Sequence, residues 1–318
     1  MLRVLAIRAA QVTHPTGDPK FSVLQSIPGP FKDDVRALSP FLMCDHFGPM
    51  VSRGEKAADD FDVPWHPHRG QDLLTYMVSG NGRHADSMGN RSIFAAPGIQ
   101  WISAGSGIEH AEGGGCPAGM VQEGFQIWTD VPRAKKMDDP NYGTHDGSEL
   151  PVVSVGEGAS ARVLAGSFFG ATGPFRAQAT LLIADVTLAA GAEASWQVPA
   201  AHDVFLAYAF QGAGTISGAA LASGQVARLD AALTGNGDGR TASFTGGPEG
   251  LRVLVFSGKG LGQPVAWHGP FVMTTDEEIR ATIRDYQTGN FLKKRSPWNY
   301  KSAAAAREWA EQQAAKDL

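Results

Sequence analysis

Two short clusters in this sequence hold the residue types from which a metal centre is built: His66-Pro67-His68 and, further along, His110-Ala111-Glu112. In an extended strand, residues i and i+2 project from the same face, about 7 Å apart along the chain. Each pair therefore aims two donors in one direction. Two such pairs on neighbouring strands would gather four ligands round one ion, at about 2.0–2.2 Å each. Three imidazoles and one carboxylate suit iron, nickel, zinc, cobalt or copper better than magnesium or calcium. With four protein ligands, an octahedral ion keeps two positions open for water, substrate or dioxygen. A lone H-x-H is common, however, and the bland reading makes His66 and His68 loop residues with incidental hydrogen bonds. Spacing alone leaves both readings standing.

Other residues weigh less. His84 and Asp86 share a strand face beside a turn at Met88-Gly89-Asn90, which favours a structural hydrogen bond over catalysis. Glu109 adjoins His110 and must point the opposite way on a strand, so a solvated surface role is expected rather than a fifth ligand. Asp45, Asp62 and Asp72 are candidates to orient metal-bound imidazoles. The second half holds only His202 and His268 and no H-x-H or H-x-E pair, so no metal site is expected there and His202 reads as an ordinary satisfied histidine. Trp101 and Trp128 read as core, and Cys44 and Cys116 as small apolar residues.

The elements that must position these residues are strands. Short β-branched and aromatic segments, at 73–78, 92–95, 125–129, 152–155, 179–187, 204–210 and 251–256, are separated by glycine, proline, asparagine or aspartate. Such spacing suits sandwiches or barrels rather than alternating helices and strands. The polar, turn-rich stretch 132–150 reads as a connection between two β-barrel domains. Near the end, Thr275 and Glu278 form a capping box, and Ile279, Ile283 and Tyr286 follow at helical spacing. A second, alanine-rich helix is expected over 302–315.

The bulk numbers agree with an all-β reading. The chain has 318 residues, room for two domains, and its 39 glycines and 19 prolines do not suit long helices. The net charge is −5, with no long basic run, so nucleic-acid binding is not expected. Two cysteines make no disulfide framework and fit a reducing compartment. The N-terminus reads as a strand because Arg8 interrupts its apolar stretch, and no window could span a membrane. The expected location is the cytoplasm.

The segments HPHRGQDLLTYMVSG, HADSMGN, APGIQWISAGSGIEHAEGG and GFQIWTDVP resemble, in order, the N-terminal barrel of pirins. SPFLMCDHFGP before them and GPFVMTTDEEIRATIRDYQTGNF after them also resemble pirin segments, so the likeness runs from about residue 39 to 291. It departs from the family at Asp72, where pirins carry glutamate, and at Ile99, where aspartate is frequent. The resemblance implies an all-β bicupin: two tandem cupin-type barrels with a short C-terminal helical tail. The expected divisions are a metal-binding barrel over 1–135, a linker over 136–150, a barrel without metal over 151–270 and the tail over 271–318. It implies one metal ion, Fe(II) foremost with Ni, Zn, Co or Cu as alternatives, held by His66, His68, His110 and Glu112. The implied activity is that of a quercetin 2,3-dioxygenase, which opens a flavonol (a small enolic aromatic) with dioxygen and releases carbon monoxide, with Glu112 as general base. The alternative implied is a regulatory protein that acts through protein partners and uses the metal as a redox sensor.

Overall fold

The computed structural model describes residues 1–15, 21–54, 60–232, 240–297, 299–302, 304, 305 and 308. The chain forms two compact units whose segments alternate along the sequence. One comprises Met1–His46, Ile127–Asp130 and Ser148–Gly262; the other comprises Phe47–Gln126, Val131–Gly147 and Gln263–Leu318. Both are β-barrels. Every strand segment read from the sequence overlaps a strand of the structure.

The histidine-bearing unit is built from β1 (Val63–His68), β2 (Gln71–Ser79), β3 (Asn81–Asp86), β4 (Arg91–Ala95), β5 (Ile99–Ser103), β6 (Ile108–Gly114), β7 (Val121–Asp130, whose last four residues fall in the other unit) and β8 (Asn141–His145). Antiparallel strands in the order β1-β6-β3-β4 make one sheet, and β8, β5, β2 and β7 lie in that order in another. On β4 the side chains alternate as a half-buried strand should, with Ile93 exposed beside buried Phe94.

The stretch 136–150, expected as a linker, contributes β8, which pairs along β5 from Asn141 opposite Ser103 to His145 opposite Ile99. On it, the Tyr142 hydroxyl meets the hydroxyls of Ser92 and Thr144. The turn residues at 138–140 form only the approach to it.

The turn between β1 and β2 needs glycine. Gly70 has φ +86°, and a Cβ there would lie 2.2 Å from the carbonyl oxygen of Val272. Buried Lys136 clasps the same corner, donating from Nζ to Gly70 O at 2.7 Å and to Val272 O at 3.0 Å. Buried Arg69 ties in the tail. Its Nε donates to Ser106 O at 2.7 Å, Nη1 to Asp285 Oδ2 at 2.8 Å and Nη2 to Phe291 O at 3.1 Å.

Asp285 belongs to helix α1 (Asp276–Gln287), which begins with the expected capping box: Thr275 Oγ1 accepts from Glu278 N, and Glu278 Oε2 accepts from Thr275 N. Ile279 and partly buried Ile283 pack with Phe271, Met273 and Phe291. Most of 302–315 lies outside the described residues; within it, Ala304, Ala305 and Glu308 are helical. No helix among the described residues is long and apolar enough to cross a membrane.

The other unit carries β9 (Val152–Gly156), β10 (Ala159–Ala165), β11 (Leu181–Leu188), β12 (Glu193–Gln197), β13 (Val204–Ile216), β14 (Gln225–Asp230) and β15 (Thr241–Gly258). Its main sheet runs Val4–Ala9, β14, β13, β15, β11, β10, β9, so the N-terminal segment is the strand expected of it. One apolar cluster fills the interior, with Phe205, Ala207, Ala209, Val253, Val255 and Trp196 among its members.

Candidate metal centre

The sheet register brings the sequence pairs together. On β1 and β6, His110 lies opposite His66 and Ile108 opposite His68. The pairing then slips by one residue, so that Glu112 faces Val63. The extra residue sits on the β1 side, where Pro64 has no N–H to give to a ladder. The Pro64 carbonyl oxygen turns instead to His66 Nδ1, at 2.7 Å. Because a carbonyl only accepts, the proton is on Nδ1 and Nε2 is left with its lone pair. His68 Nδ1 lies 2.9 Å from Gln71 Nε2 and 3.2 Å from Pro270 O, which accepts from Gln71 Nε2 at 2.8 Å.

The three rings converge. Their centroids lie 4.3 Å apart for His66 and His110, 4.8 Å for His66 and His68, and 5.0 Å for His68 and His110. One nitrogen from each falls within 4.8 Å of the others, close enough for a single ion to meet all three. His110 is fully enclosed, and neither of its ring nitrogens has a hydrogen-bond partner in the protein. A buried imidazole in that condition is costly unless something else binds it. Burial, with neighbouring imidazoles adding to it, holds His68 and His110 well below the usual histidine pKa, and burial lowers His66 as well. All three are therefore neutral lone-pair donors at neutral pH. The donor set fits a first-row transition metal.

Glu112 lies outside that three-nitrogen group but on the same strand face as His110. Gln126 Nε2 donates to its Oε1 at 2.7 Å, and Thr75 also bonds to the carboxyl and lies 3.1 Å from Gln126 Oε1. Burial pushes Glu112 up to about 7, against these hydrogen bonds. Sequence reasoning missed Gln126 and Thr75, which only the strand register brings to the carboxyl.

The remaining candidates divide. His84 Nε2 lies 3.0 Å from Asp86 Oδ2, the structural hydrogen bond expected of that pair. Asp62 accepts from Gly114 N and Asp45 from Gln25 Nε2, whereas His66 and His68 meet the Pro64 and Pro270 carbonyls and the Gln71 amide. Glu109 faces away from His110 as alternation requires, but it is not the solvated group expected: it accepts from Tyr300 OH at 2.8 Å and pairs with Lys301 Nζ at 2.9 Å. His202 contacts Ser257 Oγ at 2.9 Å and is satisfied there. Trp101 is buried, Trp128 half-buried, and both cysteines are buried and free.

Comparison with known proteins settles the family. The family model described as Pirin matches residues 20–129, and the Pirin C-terminal cupin domain matches 183–292. The chain belongs to the pirin family. A pirin-like protein of Caulobacter vibrioides is 34% identical over 262 residues, covering 81% of this chain and 89% of its own length. A Pseudomonas aeruginosa pirin relative, provisionally named a quercetin 2,3-dioxygenase, is 33% identical over 262 residues, covering 79% of this chain and 86% of its own. Among solved structures, the quercetin 2,3-dioxygenase of Acinetobacter baumannii aligns with TM-score 0.80 and 28% identity, over 92% of this chain and 98% of that one. The two barrels of this pirin are thus cupins, and its histidine cluster lies within the segment matched by the Pirin model.

Proposed function

We propose that this pirin is a metal-dependent dioxygenase that opens a flavonol such as quercetin and releases carbon monoxide. The observation that carries the reading is the convergence of three neutral imidazoles, one of them without any protein partner, beside a buried carboxyl. The likeness to the Acinetobacter baumannii quercetin 2,3-dioxygenase supports the substrate class. His66, His68, His110 and Glu112 would hold the ion, with Fe(II) the first candidate. When bound, such an ion acidifies a coordinated hydroxyl and offers open positions to small ligands.

The protein's own residues supply the rest. Pro64 O orients His66, and Pro270 O with the Gln71 amide orients His68, both through Nδ1. Glu112 takes the proton of the flavonol hydroxyl onto its carboxylate, whose burial favours the protonated form. Gln126 keeps Oε1 in place during that exchange. Enclosing barrel walls keep bulk water from the flavonolate, which is then consumed with one dioxygen.

Aerobic quercetin consumption with carbon monoxide detection tests the proposal, using protein loaded with Fe(II) and then with other divalent metals. Turnover lost in His66→Ala is the expected result. Protein holding one equivalent of metal that turns over no flavonol with any ion would overturn the reading.

A further inference from the structure

His84 lies on β3, where the register sets it opposite Glu112, with Asp86 opposite His110. Its side chain is fully enclosed. One face stacks on Tyr142, with centroids 4.6 Å apart and planes at 18°, and the ring lies 5.5 Å from that of His110. His84 is also close enough to act electrostatically on both His66 and His110. Yet it does not belong to the group of nitrogens that lie mutually within 4.8 Å. It stands beside the candidate centre rather than in its ligand set.

The hydrogen bonds of Asp86 determine which nitrogen of His84 is free. Asp86 Oδ1 accepts from Met88 N at 2.9 Å and from Asn90 N at 3.0 Å; Oδ2 accepts from Asn90 Nδ2 at 2.7 Å. A carboxylate so occupied is an acceptor throughout, so its contact with His84 must be made by an Nε2–H. In the neutral ring, Nδ1 then carries a lone pair. That atom is buried and has no hydrogen-bond partner in the protein. A buried acceptor of fixed direction, held by a turn and an aromatic stack next to a metal-binding face, is costly unless a ligand fills it.

We propose that His84 is the hydrogen-bond acceptor of this centre, its Nδ1 receiving the O–H of a water or hydroxyl-bearing molecule held beside the three histidines. His84 thereby selects ligands that present a hydroxyl there over ethers of the same shape. Asp86 is the positioning residue that keeps the Nδ1 lone pair available.

The test uses the full-length protein loaded with Zn(II). Nitrogen NMR of labelled histidines is expected to show His84 protonated on Nε2 and bare on Nδ1, and a crystal structure should place an oxygen within hydrogen-bond distance of Nδ1. A proton on Nδ1, a metal bond to Nδ1, or an Nδ1 with no ligand oxygen near it would each overturn the proposal. A second arm rests on the flavonol reading above, in which the 3-hydroxyl gives its proton to Glu112: anaerobic titration with quercetin and with its mono-O-methyl ethers at the positions other than 3. Wild-type protein should prefer the free hydroxyl, and His84→Phe, which keeps the aromatic stack, should reduce that preference by about tenfold or more at unchanged metal content. An undiminished preference in the variant counts against His84 alone. If wild-type protein binds no flavonol, the functional reading fails, while the tautomer and the bound oxygen still decide the role of His84.

Discussion

On β13 and β15 of one barrel, the inward side chains are Phe205, Ala207, Ala209, Val253 and Val255, all closed to solvent. In the other barrel, β1, β3 and β6 bring His66, His68, His84, Asp86, His110 and Glu112 to one face, most of them just as deeply buried. Both interiors are antiparallel, enclosed and densely lined. The apolar one gains from every ångström removed from water. The polar one must satisfy each nitrogen and oxygen it encloses, and it leaves His110 entirely, and His84 at Nδ1, without partners. Glycine at 70, the Lys136 clasp and the Arg69 tie hold that less favourable interior in shape.

If this division is correct, the two interiors should respond in opposite ways to truncation. His110→Ala should weaken metal binding by more than about 100-fold, measured as metal content after dialysis. Phe205→Ala should cost about 3–5 kcal/mol of stability in denaturant titration, with metal content unchanged. Metal loss in Phe205→Ala would break the comparison.

A smaller effect should appear with pH. Burial raises Glu112 to about 7 from a usual 4.5, so the metal-free folded protein holds this proton more tightly than the unfolded chain does. Its contribution to stability is complete below the unfolded value and is lost as pH rises through about 7. A cation needs the deprotonated form, so metal affinity should climb with pH over the same window, by up to about tenfold per unit, and level off above it. Burial lowers all three histidines from their usual range, so their protons compete with the metal at lower pH. Glu112→Gln should flatten the climb in isothermal titrations at stepped pH; an unchanged slope would move the titration to another group.

The smallest change expected is in Thr275→Ala, which removes the α1 cap and should cost about 1 kcal/mol. Denaturant unfolding of the metal-free protein measures it. A loss of metal affinity of comparable size in the same variant would show that the helix end and the histidine turn are linked more tightly than hydrogen bonds alone imply.

Much of this was readable in the residues. The period of two in a strand puts His66 with His68 and His110 with Glu112 whatever the surroundings, and the Thr275–Glu278 box is a local signal with a local outcome. What escaped depends on register. Nothing near His84 says that it will lie opposite Glu112, and nothing in the sequence of β7 says that Gln126 turns inward to hold a carboxylate. Strand β8 was hidden by the turn residues before it. The place of Val4–Ala9 in the apolar barrel rests on pairing with the distant strand β14, a contact that local composition does not encode.

The tie between Arg69 and the tail also bears on the order in which the protein is made. The residue whose carbonyl receives Nη2, Phe291, lies 222 positions further along the chain. At translation rates of about 5–20 residues per second, the histidine turn leaves the ribosome on the order of 10–40 s before the segment that braces it. Through that interval, newly made imidazoles wait on an unfinished corner. The centre reaches its final form only after Phe291 has been made.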